Sequence, residues 1–341
     1  MNLLFNPFRR LMIILIIGFV LMVLLVLLSV IWGTVQIPLK DVLAVFQLGS
    51  PESSANRFEV IRAIILELRI PRALLAIIVG AGLAMVGAML QTVTRNDLAD
   101  PFLFGLSAGA AMGAVFVIVY WGGVLGSWLL PLASFMGGIF AALTVSCLYQ
   151  LQSHKGVDKL VICGLAISFL LGAITNYLIF LGDQNTANTV LFWSLGSLGR
   201  AEWGNIFIPF IGVLLLIGFW GFNHLSLDAL LAGEETASSL GINVAKLRTL
   251  IFLMCALTTS TIVSLTGIIG FIGLMVPHLV RPLTGVRHLY FIPAVAMVGS
   301  LLMLLGDLIC RLVLAPQELP LGIVTAAIGA IFVLCLVFRA H

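Results

Sequence analysis

Eight stretches of this chain carry no Asp, Glu, Lys or Arg: residues 11–39, 73–94, 101–153, 160–182, 203–223, 249–277, 289–306 and 319–338. Uncharged apolar runs of about 18 residues or more read as membrane-spanning helices, so the charged positions act as punctuation between spans. Run 101–153 is too long for one crossing, and Trp121-Gly122-Gly123 with Gly126 and Pro131 supplies a turn and an interfacial aromatic within it. Run 249–277 also exceeds one crossing at about 1.5 Å per residue. Gly267, Gly270, Gly273 and Pro277 interrupt it, which predicts a full helix followed by a shorter, glycine-rich one. The pattern predicts ten spans, with cores near 11–32, 73–92, 102–121, 128–150, 160–181, 205–222, 248–267, 271–281, 289–309 and 320–338.

Composition narrows the class. The 341 residues are 61% apolar and 9% charged, where a soluble domain has roughly 45–50% and about 25%. A soluble enzyme and a disulfide-stapled secreted domain are excluded, and a net charge of +3 is too small for a nucleic-acid binder. The expectation is an all-α polytopic membrane protein, with residues 1–341 as one transmembrane domain. Cys147, Cys163, Cys255, Cys310 and Cys335 stand singly in apolar runs and read as buried small hydrophobes. Arg9-Arg10 precedes an apolar run with no small-x-small cleavage site, which reads as a retained first span.

Charge also sets an orientation. With the N-terminus in the cytoplasm, Arg9, Arg10, Arg95, Lys155, Lys159, Lys246, Arg248, Arg281, Arg287 and Arg339 fall inside, ten of the seventeen basic residues. Outside the long segment 33–72, only Arg200 and Arg311 fall on the far side, a strong positive-inside bias with both termini cytoplasmic. Arg69 and Arg72, close to a span end, count somewhat against it. Segment 33–72 is then external and segment 223–248 cytoplasmic. Within the latter, residues 230–241 run from Glu234-Glu235 through small residues to Gly241. That order predicts a short helix with acidic residues at its N-terminus and a glycine stop.

Little in the chain promises chemistry. It has no GxxxxGK[ST], HExxH or GxSxG, so no catalytic residue, cofactor or nucleotide site is expected. Asp307 is the one acidic residue placed within a span, and Arg311 follows four residues later on the same helix face, suiting an ion pair. That pair reads either as a structural anchor or as a functional group. Gly105, Gly109 and Gly113, with Gly80, Gly82 and Gly87, suit close helix packing. His278, after Pro277, reads as a helix-end hydrogen-bonding group, and no metal is expected.

Leu68-Arg69-Ile70-Pro71-Arg72, Gly80-Ala81-Gly82-Leu83-Ala84, Leu90-Gln91, Arg95-Asn96-Asp97-Leu98-Ala99-Asp100-Pro101 and Gly105-Leu106-Ser107-Ala108-Gly109-Ala110 follow one another in order. Later come the run from Gly267 to His278 and Glu318-Leu319-Pro320-Leu321-Gly322-Ile323-Val324-Thr325-Ala326. Together, over about residues 60–338, they resemble the FecCD-type permeases of bacterial ABC importers for iron-siderophore, haem and cobalamin. The resemblance implies a type II importer permease with ten helices in the bacterial inner membrane, without resident cofactor. It further implies a second permease subunit (a copy or a paralogue), two cytoplasmic ABC ATPase subunits, a periplasmic substrate-binding protein and surrounding membrane lipid. By the same resemblance, Gly233, Glu234, Glu235, Ala237, Leu240 and Gly241 match the ATPase-coupling helix. Arg69, Arg72 and Arg311 match external arginines that dock the binding protein, Asn96 and Leu98 match the cytoplasmic gate, and the fifth span would line the pathway. Ferric siderophore is the leading cargo, with haem, cobalamin and molybdate as alternatives.

Three positions depart from that pattern: Asp97 stands where the family usually has Pro, Val286-Arg287-His288 replaces Asp-His-Arg, and Ile331 follows Gly329-Ala330 in place of Pro. The first predicts a more flexible loop with extra negative charge beside the exit. An ion-coupled secondary transporter is the competing class; it needs no ATPase, and the scarcity of core carboxylates counts against it.

Overall fold

The structure, a computed structural model, describes residues 7–121, 128–152 and 156–339, all helix and connections with no strand among them. In chain order the helices are α1 (Pro7–Ile31), α2 (Leu39–Val45), α3 (Ala55–Ala63), α4 (Ile70–Thr94), α5 (Leu106–Trp121), α6 (Leu129–Gln150) and α7 (Val157–Leu181). They continue with α8 (Gln184–Ser194), α9 (Phe207–Ala232), α10 (Glu234–Ser239), α11 (Val244–Thr266), α12 (Ile272–Thr284), α13 (His288–Leu312) and α14 (Leu321–Arg339). The ten expected spans correspond to α1, α4, α5, α6, α7, α9, α11, α12, α13 and α14. Gly122, Gly123 and Gly126 of the turn expected between α5 and α6, and Lys155, lie outside the described residues.

Burial sorts these helices into centre and periphery. In the most apolar stretch of α4, 78% of residues are buried, and 72% in α11, against 11% in α1 and 22% in both α7 and α9. Apolar side chains on the outer helices are exposed, as suits contact with lipid or with another apolar helix. That explains a correction to the cysteine reading: Cys255 and Cys310 are buried, whereas Cys147 and Cys335 are exposed and Cys163 is half-buried.

Since lipid gives no hydrophobic drive for helix association, close backbone approach supplies the packing energy. Gly80 of α4 and Gly299 of α13 face each other so closely that a Cβ on either would overlap the other's carbonyl oxygen, and Gly109 of α5 and Gly137 of α6 repeat the arrangement. Gly113 packs against the Ala133 carbonyl, but Gly105 does not continue the stripe; it takes φ +81° at a turn before α5. Gly80→Val is expected to destabilise the protein by about 1–3 kcal/mol through overpacking. Gly218→Ala on α9, where a Cβ meets open space, is expected to leave the melting temperature unchanged or slightly higher. Thermal unfolding in detergent checks both.

Three helical regions extend beyond the sequence reading. α3, a π-helical turn at Ile64–Arg69 and α4 form one 40-residue rod, Ala55–Thr94, so much of the segment read as external is helix. Pro71 accounts for the π turn, because it lacks an N–H and its ring clashes with the preceding turn of a regular helix. The Leu66 carbonyl in that turn accepts from the Trp203 indole N–H at 2.8 Å. α9 continues past residue 222 to Ala232, which leaves a much shorter connection before α10. α8 had no expectation; its start is capped by Asp183, which accepts from Thr186 N–H at 2.7 Å, and hydrogen bonding to Thr186 holds this carboxyl below the usual range.

Candidate functional site

The short helix α10 lies between two long spans. Gly233 breaks α9 with φ +133°, a conformation that L side chains rarely adopt, and places Glu234 and Glu235 in the first turn of α10. Gly241, at φ +81°, ends the segment, as the acidic-start and glycine-stop pattern predicts. The two glutamates then part company. Glu234 Oε1 accepts from Arg248 Nη2 at 2.7 Å, while Arg248, wholly buried in α11, also donates through Nη1 to the Tyr149 hydroxyl at 3.2 Å. Glu235 points outward, as does Leu240, whereas Ala237 is fully buried and seats α10 on the bundle.

A buried cluster beside α10 has no counterpart in the sequence reading. His288, the first residue of α13, is fully buried. Its backbone N–H donates to Asp228 Oδ1 of α9 at 2.8 Å, and its ring Nδ1 lies 2.7 Å from the same oxygen. A carboxylate only accepts, so Nδ1 carries the proton. Ring Nε2 lies 2.9 Å from Thr92 Oγ1 in the last turn of α4, and the His288 carbonyl accepts from the Trp220 indole N–H at 3.1 Å. His278, by contrast, sits within α12 and meets the Phe332 ring edge-on, with centroids 5.5 Å apart, so it is not the helix-end group the sequence suggested.

The segment after α4 starts at Arg95, in the left-handed region at φ +50°. Asn96 Oδ1 accepts from Leu98 N–H at 2.9 Å, a local turn that leaves Leu98 projecting. Asp97 forms an ion pair with Arg281 of α12 at 2.5 Å, and Arg281 Nη2 donates to Gln91 Oε1 at 3.0 Å. The extra negative charge expected at position 97 is therefore neutralised, and the loop is tied to α12 instead of being loosened. Leu98, Asp100, Phe102, Phe271, Leu274 and Ile323 contribute to a largely apolar cavity of about 510 Å³. Asp100 accepts from Phe102 N–H at 2.9 Å, and burial pushes its carboxyl up to about 6 against that hydrogen bond.

At the opposite end of the bundle three arginines converge. Arg69 donates through Nη1 to the Val30 and Ile31 carbonyls at 2.5 and 2.9 Å, and through Nη2 to the Val35 carbonyl, capping the end of α1. Asp307, only 1% exposed, pairs with Arg311 Nη2 at 2.8 Å, the pairing expected from their spacing. It also pairs with Arg72 Nε at 2.8 Å, a contact that no spacing along the chain announces. Arg72 Nη1 reaches Glu318 at 2.8 Å, and Arg311 donates to Ser29 Oγ at 2.5 Å. Arg69, Arg72, Arg311 and Glu318 border a cavity of about 360 Å³. Arg69 and Arg311 thus serve the fold's interior, and Arg72 keeps a small exposed fraction.

This bundle of spans, with a braced surface helix on one face and a polar cluster on the other, has the architecture of an ABC transporter permease. A solved structure of an inward-facing transporter assigned to the metal-chelate ABC type superposes with a TM-score of 0.83 at 29% identity, covering 96% of this chain and 99% of that one. Residues 21–339 match the FecCD transport family, and the chain belongs to that family. Among its relatives are the hemin transport system permease protein HmuU of Yersinia pestis, 36% identical over 80% of this chain and 83% of that protein. The iron(3+)-hydroxamate import system permease protein FhuG of Bacillus subtilis is 32% identical over 97% and 98%.

Proposed function

We propose that this chain is the transmembrane permease subunit of an ATP-driven, binding-protein-dependent importer whose cargo is a ferric siderophore. The observation that carries the reading is α10: a short exposed helix held rigidly between two spans by the Glu234–Arg248 pair suits insertion into the cleft of a separate ATPase. Gly233 and Gly241 fix its ends, Ala237 fixes its seat, and Glu235 and Leu240 offer the contact surface. The α10 face is then cytoplasmic, as the basic residues require, with both termini on that side and the protein in the bacterial inner membrane.

Two permease subunits, two ATPases and a periplasmic binding protein complete the assembly in this reading. Asn96 and Leu98 form the cytoplasmic gate, and α7 lines the pathway with its counterpart in the second subunit. On the outer face Arg72 is the docking residue for a carboxylate of the binding protein, with Arg69 and Arg311 holding the surface from beneath. The relatives named for hydroxamate and hemin transport support a metal-chelate cargo.

Uptake of a labelled ferric siderophore into proteoliposomes holding this chain, its ATPase and its binding protein tests the reading. Uptake is expected to need all three components and ATP, and to fall in a Glu234→Ala/Glu235→Ala control. Binding-protein-stimulated ATP hydrolysis without siderophore uptake would refute the cargo and direct the test to haem, cobalamin or molybdate. Uptake that needs no ATPase would refute the whole reading.

A further inference from the structure

Two parts of the α10 face have to move together in any such importer: the helix that meets the ATPase and the loop that closes the pathway. They are far apart in the chain, yet the structure joins them through direct side-chain contacts. Asp228 lies on the stretch of α9 that leads into Gly233 and α10. Its Oδ1 receives both the backbone N–H and the ring Nδ1–H of His288. The other ring nitrogen meets Thr92, which is three residues before Arg95, where α4 gives way to Asn96 and Leu98.

We propose that Asp228, His288 and Thr92 form a positioning relay that carries a displacement of α10 to the end of α4 and so to the loop at Asn96–Leu98. The inference rests on the permease reading above and assigns a task to residues outside the coupling helix and the gate themselves.

The geometry favours a relay over ordinary packing for four reasons. The ring and its receiving end are buried, His288 at 0% exposure and Thr92 at 2%, so water offers no substitute partner there when that contact breaks, while Asp228 keeps 24% of its side chain exposed. The imidazole is a rigid plate engaged at both edges, so a shift of Asp228 turns the ring and its Nε2 together. Its own backbone is also fixed, by Asp228 at the N–H and by Trp220 at the carbonyl, so the ring cannot move independently of α9 and α13. Thr92 adds an alternative partner at the receiving end: its hydroxyl is also 2.9 Å from the Ala88 carbonyl, which gives the hydroxyl proton two acceptor choices. A group with two discrete hydrogen-bonded arrangements is the kind of bistable element through which coupling travels. The Asp97–Arg281–Gln91 contacts tie the same loop to α12, and the Arg95 guanidinium lies beside Gly233, a contact that Thr92→Val leaves in place.

Isosteric substitutions separate the links. Thr92→Val removes the hydroxyl and keeps the shape, whereas Thr92→Ser keeps the hydroxyl. His288→Asn retains a donor near the Nδ1 position, facing Asp228, and loses the reach to Thr92. In the reconstituted complex, Thr92→Val and His288→Asn are each expected to leave ATPase association and ATP hydrolysis within about twofold. Cargo moved per ATP should fall about tenfold in both, Thr92→Ser should stay close to the parent, and the double variant should be no worse than either single one, since both cut the same link. A Thr92→Val complex that transports as efficiently as the parent, or a Thr92→Ser complex that loses as much as Thr92→Val, would overturn the relay.

A second measurement needs neither ATPase nor cargo, so it survives failure of the transport reading. In the isolated chain in detergent, amide hydrogen exchange is expected to rise together in residues 95–99 and 233–241 for Thr92→Val, and to stay unchanged for Gly218→Ala, on α9 with its added methyl in open space. Exchange that rises only around residue 92, with no change at 233–241, refutes the relay whatever the protein transports.

Discussion

Asp307→Ala is expected to be the most destabilising single substitution on the face that carries α2, at about 3–5 kcal/mol, the usual cost of removing one partner from a buried ion pair. The carboxylate is 1% exposed and stands between two guanidinium groups, Arg72 and Arg311. Without it Arg72 keeps Glu318, but Arg311, buried against α1, keeps the Ser29 contacts and a 3.5 Å contact to the carbonyl of residue 307, and loses its ion-pair partner. Because Arg311 holds Ser29 near the end of α1, the loss should spread to the neighbouring caps on Val30 and Ile31 made by Arg69. Asp307→Asn, which keeps the shape and drops the charge, should fall between the parent and the alanine variant. Asp307→Ala/Arg311→Met should recover part of the loss, since apolar groups of similar volume replace a buried pair at little cost. Thermal unfolding in detergent provides the ranking. A double variant as unstable as Asp307→Ala would show that the arginine's hydrogen bonds, and not its unbalanced charge, carry the effect. In the importer reading, this node is also what holds Arg72 at the docking surface, so binding-protein stimulation should follow stability across the series.

What the sequence made legible follows from how each feature is encoded. Spans are encoded locally, as uncharged length, and each of the ten expected cores corresponds to a helix. Charge misled where it is used inside the fold. Arg62, Glu67, Arg69 and Arg72 fall in the segment read as external, yet they ride on a helical rod, from which Arg69 turns toward the end of α1 and Arg72 toward Asp307. α8 was missed because Gln184–Ser194 is too short and too polar to register as a span. α10 was readable because its acidic first turn and its terminal glycine lie within a few residues. The contacts around it were not: Asp97 pairs with Arg281, and Thr92 meets His288, 196 residues further along the chain, so no local pattern announces them. Resemblance could group Arg69, Arg72 and Arg311, but it said nothing of the direction in which each guanidinium points.

The two glutamates of α10, adjacent and chemically alike, are expected to behave differently for that same reason. Glu235→Ala removes an exposed carboxylate with no partner among the described contacts, so folding stability should change by less than about 0.5 kcal/mol. If α10 enters the ATPase, siderophore uptake and co-purification of the ATPase should nevertheless fall about tenfold. Glu234→Ala acts first on the permease itself. It takes the carboxylate from Arg248, a wholly buried cation that also donates to the Tyr149 hydroxyl, and it loosens the first turn of α10. Since Glu234 is partly exposed, water compensates some of the loss, and a cost near 1–2 kcal/mol is expected in place of the full penalty for a buried pair. Uptake should fall at least as far as in Glu235→Ala, but with a lowered melting temperature. Glu234→Ala/Arg248→Met should then restore stability more than uptake, because the pair also sets the angle at which α10 stands out from the bundle. If both single variants lowered stability equally and both bound the ATPase normally, α10 would be a structural turn, and the coupling surface would have to lie elsewhere on that face.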